Sequence, residues 1–310
     1  MFSIVLSALL PVFSLIALGF AMGRRNLLGE QGFSVLNRFV ITITLPVLTF
    51  RQLARIELAG GAMAQMSVAV LGGALGIYAL AFALERLLGR SRADANIVGL
   101  GSGYGNIGFV GLSIMLIVSG PAVMAPAAVG IALNAAVVFG IGILVGQLAL
   151  HGEMGLRAGV MVALRSVMRS PLILSAFLGV VWAAMRLPIP AVADKFLDLL
   201  GSATAPCALV AIGLFTAQQK LAHIEPVVWR IVAFKLVAQP FLTALIVWFL
   251  PGLPPFWGNM AILMAGLPAG TSSFLLAGGA GRWAQQTSSL AIVMTTTCAA
   301  LSLAAMLLLL

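Results

Sequence analysis

Apolar residues run along this chain in long unbroken stretches, such as Met63 to Leu84 and Ile231 to Leu250, and polar residues collect in short connections between them. Strands of a membrane barrel would alternate apolar and polar positions over about ten residues, and these stretches do not. A backbone facing lipid must satisfy its own hydrogen bonds, so continuous apolar runs read as membrane-spanning helices. The pattern predicts ten of them: residues 3–22, 33–50, 63–85, 94–118 and 126–149, then 170–185, 196–217, 229–250, 258–280 and 287–309. Gly, Pro and Arg mark the joints, as in Gly23-Arg24-Arg25-Asn26, Gly89-Arg90-Ser91-Arg92, Ser119-Gly120-Pro121 and Pro251-Gly252-Leu253-Pro254-Pro255.

Composition supports the same class, an all-α integral membrane protein. Of 310 residues 62% are apolar and 8% charged, with a mean hydropathy of +1.14. At about 20 residues per span, that apolar content fills roughly nine or ten helices. The longest polar stretch, 151–169, is too small for a folded domain and divides the chain into residues 1–150 and 170–310. The first span lacks a basic segment before it and nine more follow, so it is not read as a cleaved signal peptide. Cys207 and Cys298 fall within spans, without neighbouring His or carboxylate, and read as packing thiols. No metal cluster or cofactor motif is found, so neither is expected.

The net charge of +9 changes the picture through its distribution. With the N-terminus outside, the cytoplasmic side carries Arg24, Arg25, Arg86, Arg90, Arg92, Arg157, Arg165, Arg169, Lys220, Arg230 and Arg282, against Arg51, Arg55, Arg186 and Lys195 outside. This is the positive-inside bias of a multi-pass protein of the cell (inner) membrane, with both termini on the non-cytoplasmic side. Nucleic-acid binding would need a basic soluble face, and none is present. His151 and His223 sit in cytoplasmic connections and read as solvated.

Five spans on each side of the central loop make the second half enter the membrane inverted relative to the first, as in secondary transporters. Pro46 in span 2 and Pro206 in span 7 form one matched pair of mid-span prolines. Spans 4 and 9 form a stronger pair. Span 4 carries Gly99, Gly101, Gly103, Gly105 and Gly108 around Asn106; span 9 reads Gly266-Leu267-Pro268-Ala269-Gly270-Thr271-Ser272-Ser273. Glycines weaken a helix and a proline removes a backbone bond, so both spans are expected to break near mid-membrane. Gly-rich membrane helices also serve as close-packing surfaces; matched interruptions in both halves favour the broken-helix reading. Asn106 and Thr271 to Ser273 are residue types that cap a restarting helix. Two helix N-termini converging at the midplane would attract an anion, and the preceding carbonyl ends would suit a cation or proton-bearing group.

At these residues the sequence resembles the auxin efflux carrier family, which includes plant PIN-type carriers and bacterial transporters of malonate and related carboxylates. Asn106-Ile107-Gly108-Phe109-Val110-Gly111-Leu112-Ser113 is similar to the family's Asn-x-Gly-Phe-x-Gly-x-Pro pattern, with Ser113 in place of proline. Leu267-Pro268-Ala269-Gly270 followed by Phe274 is similar to its Leu-Pro-x-Gly-x-x-x-Phe stretch. The resemblance implies a fold like that of bile-acid transporters and sodium/proton antiporters, with spans 4 and 9 crossing at the substrate site. It implies a scaffold of spans 1, 2, 6 and 7, and a transport unit of spans 3–5 and 8–10 that moves elevator-fashion, in a homodimer formed through the scaffold. The implied site comprises Gly105, Asn106, Ile107, Gly108, Pro268, Ala269, Gly270, Thr271 and Ser272, with Asn106 as carboxylate ligand. Gly105 stands where PIN carriers have proline, a departure from the plant type.

Other polar residues within spans are accessory candidates beside Pro46 and Pro206. Lys235 either snorkels to the interface or is a buried cation that answers the substrate's charge. Asn134 and the run Thr295-Thr296-Thr297 occupy corresponding places in the two halves and either bond between helices or join the site. All eight acids (Glu30, Glu57, Glu85, Asp94, Glu153, Asp194, Asp198, Glu225) fall at span ends or in connections, which disfavours a carboxylate ion site. The expected function is transport of a small organic anion, a mono- or dicarboxylate, as export or uniport driven by its gradient and the membrane potential. A sodium- or proton-coupled symporter of carboxylates or bile-acid-like substrates is the alternative. An intramembrane enzyme is disfavoured because no nucleophile and base share a depth.

Overall fold

The computed structural model describes residues 2–55, 60–150, 160–162, 164–165, 168–219 and 224–309. Helices dominate it, and the isolated antiparallel bridge found among these residues joins Gly105 to Ala269. Among the described residues six stretches are long and apolar enough to cross a membrane: Gly32–Leu53, Gly61–Leu87, Ile107–Ala149, Ala191–Gln218, Pro226–Trp248 and Arg282–Leu308. Leu10–Arg24 and Pro171–Ala184 are shorter apolar helices. The chain is therefore a multi-pass membrane protein. Its exposed surface fits a hydrocarbon solvent: Phe241 is 71% exposed, Trp248 80% and Leu301 79%. The 43 residues of Ile107–Ala149 would make a rod of about 65 Å, twice the hydrocarbon thickness. Gly120, at φ 65°, interrupts it between the helix Leu112–Ser119 and the helix Met124–Leu133.

Arg92–Gly103 (12 residues), Pro255–Ala265 (11) and Ser272–Ala280 (9) are each about half a span long. The glycines of the first do not break it. Gly99, Gly101 and Gly103 all stay helical, and a methyl group on Gly103 would lie 2.5 Å from the Ala74 carbonyl. These three glycines are close-packing positions, and the interruption starts only at Tyr104. Among the described residues π-helical turns occur at Val40–Thr44, Ile107–Gly111, Asn134–Val138 and Phe234–Ala238, and the apolar pattern does not announce them. Such turns recur at functional sites because one extra residue re-aims the side chains after it.

The chain forms two compact units, each gathering segments from both halves of the sequence. The first comprises Met1–Gly60, Gly108–Ala132 and Arg169–Lys220. Within it Phe2–Arg24 packs on Thr204–Gln218 at backbone contact: a methyl group on Gly213 would fall 2.1 Å from the Ile16 carbonyl, and one on Gly19 2.2 Å from that of Val210. Among the prolines of this unit, Pro11 lies inside Phe2–Arg24. Pro46 stands directly after the π turn, within the continuous helical stretch Gly32–Leu53, and Pro206 stands in the first turn of Thr204–Gln218, after the turn residue Ala203. Arg51 binds both Asp194 (2.8 Å) and Asp198 (2.6 Å), fastening the end of Leu45–Leu53 to Ala191–Ser202.

The second unit comprises Gly61–Ile107, Leu133–Met168 and Leu221–Leu310. Its core includes Ala81, Val98, Val227, Val228, Ile231, Leu290 and Ala291. One buried polar pair in it joins three elements: the Tyr78 hydroxyl donates to Asn96 Oδ1 (2.6 Å), and Asn96 Nδ2 donates to the Gly142 carbonyl (2.9 Å). Glu85 lies two residues from the end of Gly60–Leu87, as its sequence position suggests, yet it is fully buried and accepts from Arg230 at 2.7 Å. Beside this pair in sequence, the Trp283 indole donates to Glu225 (3.1 Å) and the Arg90 guanidinium stacks on the Trp283 ring at 4.3 Å. His151, Arg157, Lys220 and His223 lie outside the described residues.

Candidate functional site

The site is built where two half-length helices of the second unit end. Arg92–Gly103 begins on a Ser91 cap, whose hydroxyl accepts from the Asp94 N–H at 3.0 Å, and stops at Tyr104, where ψ turns to 111°. Pro255–Ala265 stops at Gly266, two residues before Pro268. The chain beyond each end is extended, and the two extended pieces pair antiparallel. Asn106 donates its N–H to the Pro268 carbonyl (2.8 Å), and Gly270 donates to the Tyr104 carbonyl (2.9 Å). Proline suits this register because the position uses its carbonyl alone. Gly270 is required by approach: a methyl group there would lie 2.3 Å from the Tyr104 ring.

Side chains then hold the paired backbone from the flanking helices. Asn134, first residue of its π turn, donates Nδ2 to the Gly105 carbonyl at 2.7 Å. Thr295 accepts the Ala269 N–H at 3.1 Å and passes its own proton to the Ala291 carbonyl at 2.6 Å. Gln239 donates to the Gly103 carbonyl at 3.1 Å. Lys235, also within a π turn, has no exposed surface and donates to the Ala265 carbonyl (2.7 Å) and to Gln239 Oε1. The snorkelling alternative for Lys235 is thereby removed. Gly105, Ile107, Asn134, Gln239, Met264 and Ala265 border a cavity of about 10 Å³, room for one water.

Asn106 differs from its neighbours. It is 5% exposed, its backbone is paired, and its side-chain Nδ2 has no hydrogen-bond partner among the described residues. An unpaired buried amide costs about 1–3 kcal/mol, a penalty that a bound acceptor would remove. Thr296 Oγ1, 26 residues beyond Gly270 and next to Thr295, is likewise buried without a partner. The chain restarts immediately after the pairing, as the π turn Ile107–Gly111 and as the helix Ser272–Ala280. Thr271 precedes the latter but makes no side-chain cap; instead the Ser273 hydroxyl turns back to the Gly270 carbonyl at 2.8 Å. The hydroxyls of Thr271 and Ser273 therefore do not form the expected cap. The side chain of Ser272 lies outside the described residues.

Of the residues expected at the site, Gly105, Asn106, Ile107, Pro268, Ala269, Gly270, Thr271, Asn134 and Lys235 belong to this one constellation or adjoin it in the chain. Gly108, Pro46 and Pro206 belong to the first unit, where a methyl group on Gly108 would meet the Leu45 side chain at 3.2 Å. Thr295, one of the threonines singled out in the sequence, bonds to the site backbone, whereas Gln239 and Tyr104 were not read as partners. Gln239 was within reach, since it sits four residues from Lys235 on one helix face. The Tyr104 contact has no sequence signal, because it joins positions 166 residues apart.

An all-helical multi-pass protein with interrupted helices paired around an unsatisfied buried amide is a membrane carrier in its general class. Residues 4–150 and 154–307 match a family model described as membrane transport protein, and the chain belongs to that family, as its resemblance to auxin efflux carriers implies. It is similar to a Rhizobium meliloti (strain 1021) protein named "Putative malonate transporter", with 32% identity over 93% of this chain and 90% of that protein. It is also similar to the "Uncharacterized transporter YfdV" of Escherichia coli (strain K12), with 25% identity over 87% of this chain and 86% of that one. Both relatives are named as transporters.

Proposed function

We propose that this protein carries a small mono- or dicarboxylate of the malonate or auxin type across the cell membrane by alternating access. The unpaired, buried Nδ2 of Asn106, held at the paired ends of two broken helices, carries the reading. An amide donor with no charge of its own, beside restarting helices whose N-terminal ends favour anions, suits a carboxylate oxygen. The malonate named for the Rhizobium relative supports a short dicarboxylate as the first substrate to test. The ten-span arrangement of two inverted repeats, with spans 4 and 9 crossing, is part of this proposal, supported by the interruptions at Tyr104 and Gly266.

In the proposed cycle spans 3–5 and 8–10 are the moving part and spans 1, 2, 6 and 7 the scaffold through which a homodimer forms; the second unit, which holds the whole pairing, supports this, while Gly108–Ala132 of spans 4 and 5 groups with the first unit. The termini face outward and the arginine-rich connections face the cytoplasm. In a cell that is negative inside, the potential contributes about 2.3 kcal/mol per charge per 100 mV toward anion export, so a uniporter needs no further energy source.

A thermal-shift screen of the purified protein against mono- and dicarboxylates, followed by counterflow in proteoliposomes, tests the proposal. Stabilisation by a carboxylate and flux that Asn106→Ala and Pro268→Ala abolish are expected. Unchanged binding and flux in both variants overturn the site.

A further inference from the structure

The carbonyl ends of both half-length helices are capped by one cation. Gly103 ends the first helix and Ala265 the second. Each helix concentrates about half a unit of negative charge on its last carbonyls. The Lys235 ammonium donates directly to the Ala265 carbonyl at 2.7 Å, and through Gln239 reaches the Gly103 carbonyl, since Gln239 Oε1 accepts from Lys235 while its Nε2 donates at 3.1 Å. Lys235 is fully buried and Gln239 is 4% exposed. A methyl group on Gly105 would lie 3.4 Å from Lys235 Nζ, so the charge sits directly beside the paired backbone. None of the acidic side chains among the described residues makes an ion pair with it. The neighbouring cavity holds about 10 Å³, which leaves space for a single water.

Converging carbonyl ends at a helix break are where cation-coupled carriers of other designs bind their ion. We propose that Lys235 is a resident counter-cation: its ammonium takes the place that a bound monovalent ion would take at this pair of helix ends. The site therefore binds its anion without sodium or potassium. This inference rests on reading the pairing as the anion site. Its consequence for charge is direct, because the ammonium and Asn106 belong to the same unit. A bound monoanion offsets the buried cation, the empty unit carries it alone, and the cation acts on the substrate through the field and the backbone it positions rather than by contact.

The experiment uses the full chain purified in detergent, as wild type, Lys235→Ala and Lys235→Met. Thermal unfolding is followed in sodium, potassium or N-methylglucamine chloride at equal ionic strength, with and without n-propylammonium chloride. Malonate binding is measured on the same samples. Wild type should be indifferent to the inorganic cation. Lys235→Ala should unfold at lower temperature and recover with n-propylammonium, which restores the ammonium to the vacated space. Lys235→Met, which fills the space without charge, should show no recovery and should bind malonate at least tenfold more weakly.

A wild type that needs sodium, a Lys235→Ala protein indifferent to the amine, or a Lys235→Met protein with wild-type binding each overturns the proposal. Where Lys235→Ala does not fold, the Lys235→Met comparison and the cation indifference of wild type decide alone. Should wild type bind no carboxylate while the amine still rescues Lys235→Ala, the carrier reading fails and the resident cation stands.

Discussion

The backbone N–H of Gly270 donates to the Tyr104 carbonyl at 2.9 Å, and the same glycine faces the Tyr104 ring so closely that a methyl group would sit 2.3 Å from it. Backbone pairing and ring contact are thus conditions on one residue. Gly270→Ala must push the ring aside or part the two extended pieces, and overpacking of this kind costs about 1–3 kcal/mol. Transport by Gly270→Ala is expected to fall at least tenfold, with partial recovery when Tyr104→Leu is added. Proteoliposome flux of the single and double variants checks this.

Asn106 and Asn134 are both buried amides of the second unit, yet they should respond oppositely. Asn134→Ala removes the bond to the Gly105 carbonyl and should destabilise the protein by about 1–3 kcal/mol. Asn106→Ala removes an Nδ2 that has no partner, and should leave the unfolding temperature of the unliganded protein unchanged or raised while weakening carboxylate binding at least tenfold. Thermal unfolding with and without ligand separates the two.

The buried Glu85 carboxylate depends on Arg230, which donates to Oε1 through Nε and Nη2, while Oε2 has no partner among the described residues. Arg230→Met should be strongly destabilising, by about 3–5 kcal/mol, because it strands a buried charge. Glu85→Gln combined with Arg230→Gln should cost clearly less than Arg230→Met alone. Unfolding temperatures of the three proteins in one detergent test the order.

In the first unit, Gly213 meets the Ile16 carbonyl with no room for a side chain. Gly213→Val should separate Phe2–Arg24 from Thr204–Gln218 and sharply lower the folded yield, whereas Gly29→Ala, with open space at a turn but φ 70°, should cost only about 1 kcal/mol. Size-exclusion profiles of solubilised protein provide the measure.

Much of the fold could be read from the apolar runs, because lipid imposes the same demand on every spanning residue and leaves a continuous signature. The two interruptions were legible for different reasons. Pro268 marks its own break through chemistry that no context alters, and the structure stops the helix at Ala265, just before it. The glycines of span 4 were a weaker guide: Gly99, Gly101 and Gly103 remain helical since tertiary neighbours fill the space that a side chain would need. The π turns at Asn134 and Phe234 left no mark at all, because a single inserted residue does not disturb an apolar run.

Chain pattern alone marked a multi-pass membrane protein with weak points near Asn106 and Pro268. Only the tertiary structure decided that Tyr104 to Asn106 pairs with Pro268 to Gly270, that Asn134 and Thr295 are spent on that backbone, and that Lys235 turns inward to the Ala265 carbonyl. The physical reason is range. Partition into lipid is a property of each residue and its neighbours in the chain, whereas satisfaction of a buried polar atom depends on which distant group reaches it. For Asn106 Nδ2 no group among the described residues does.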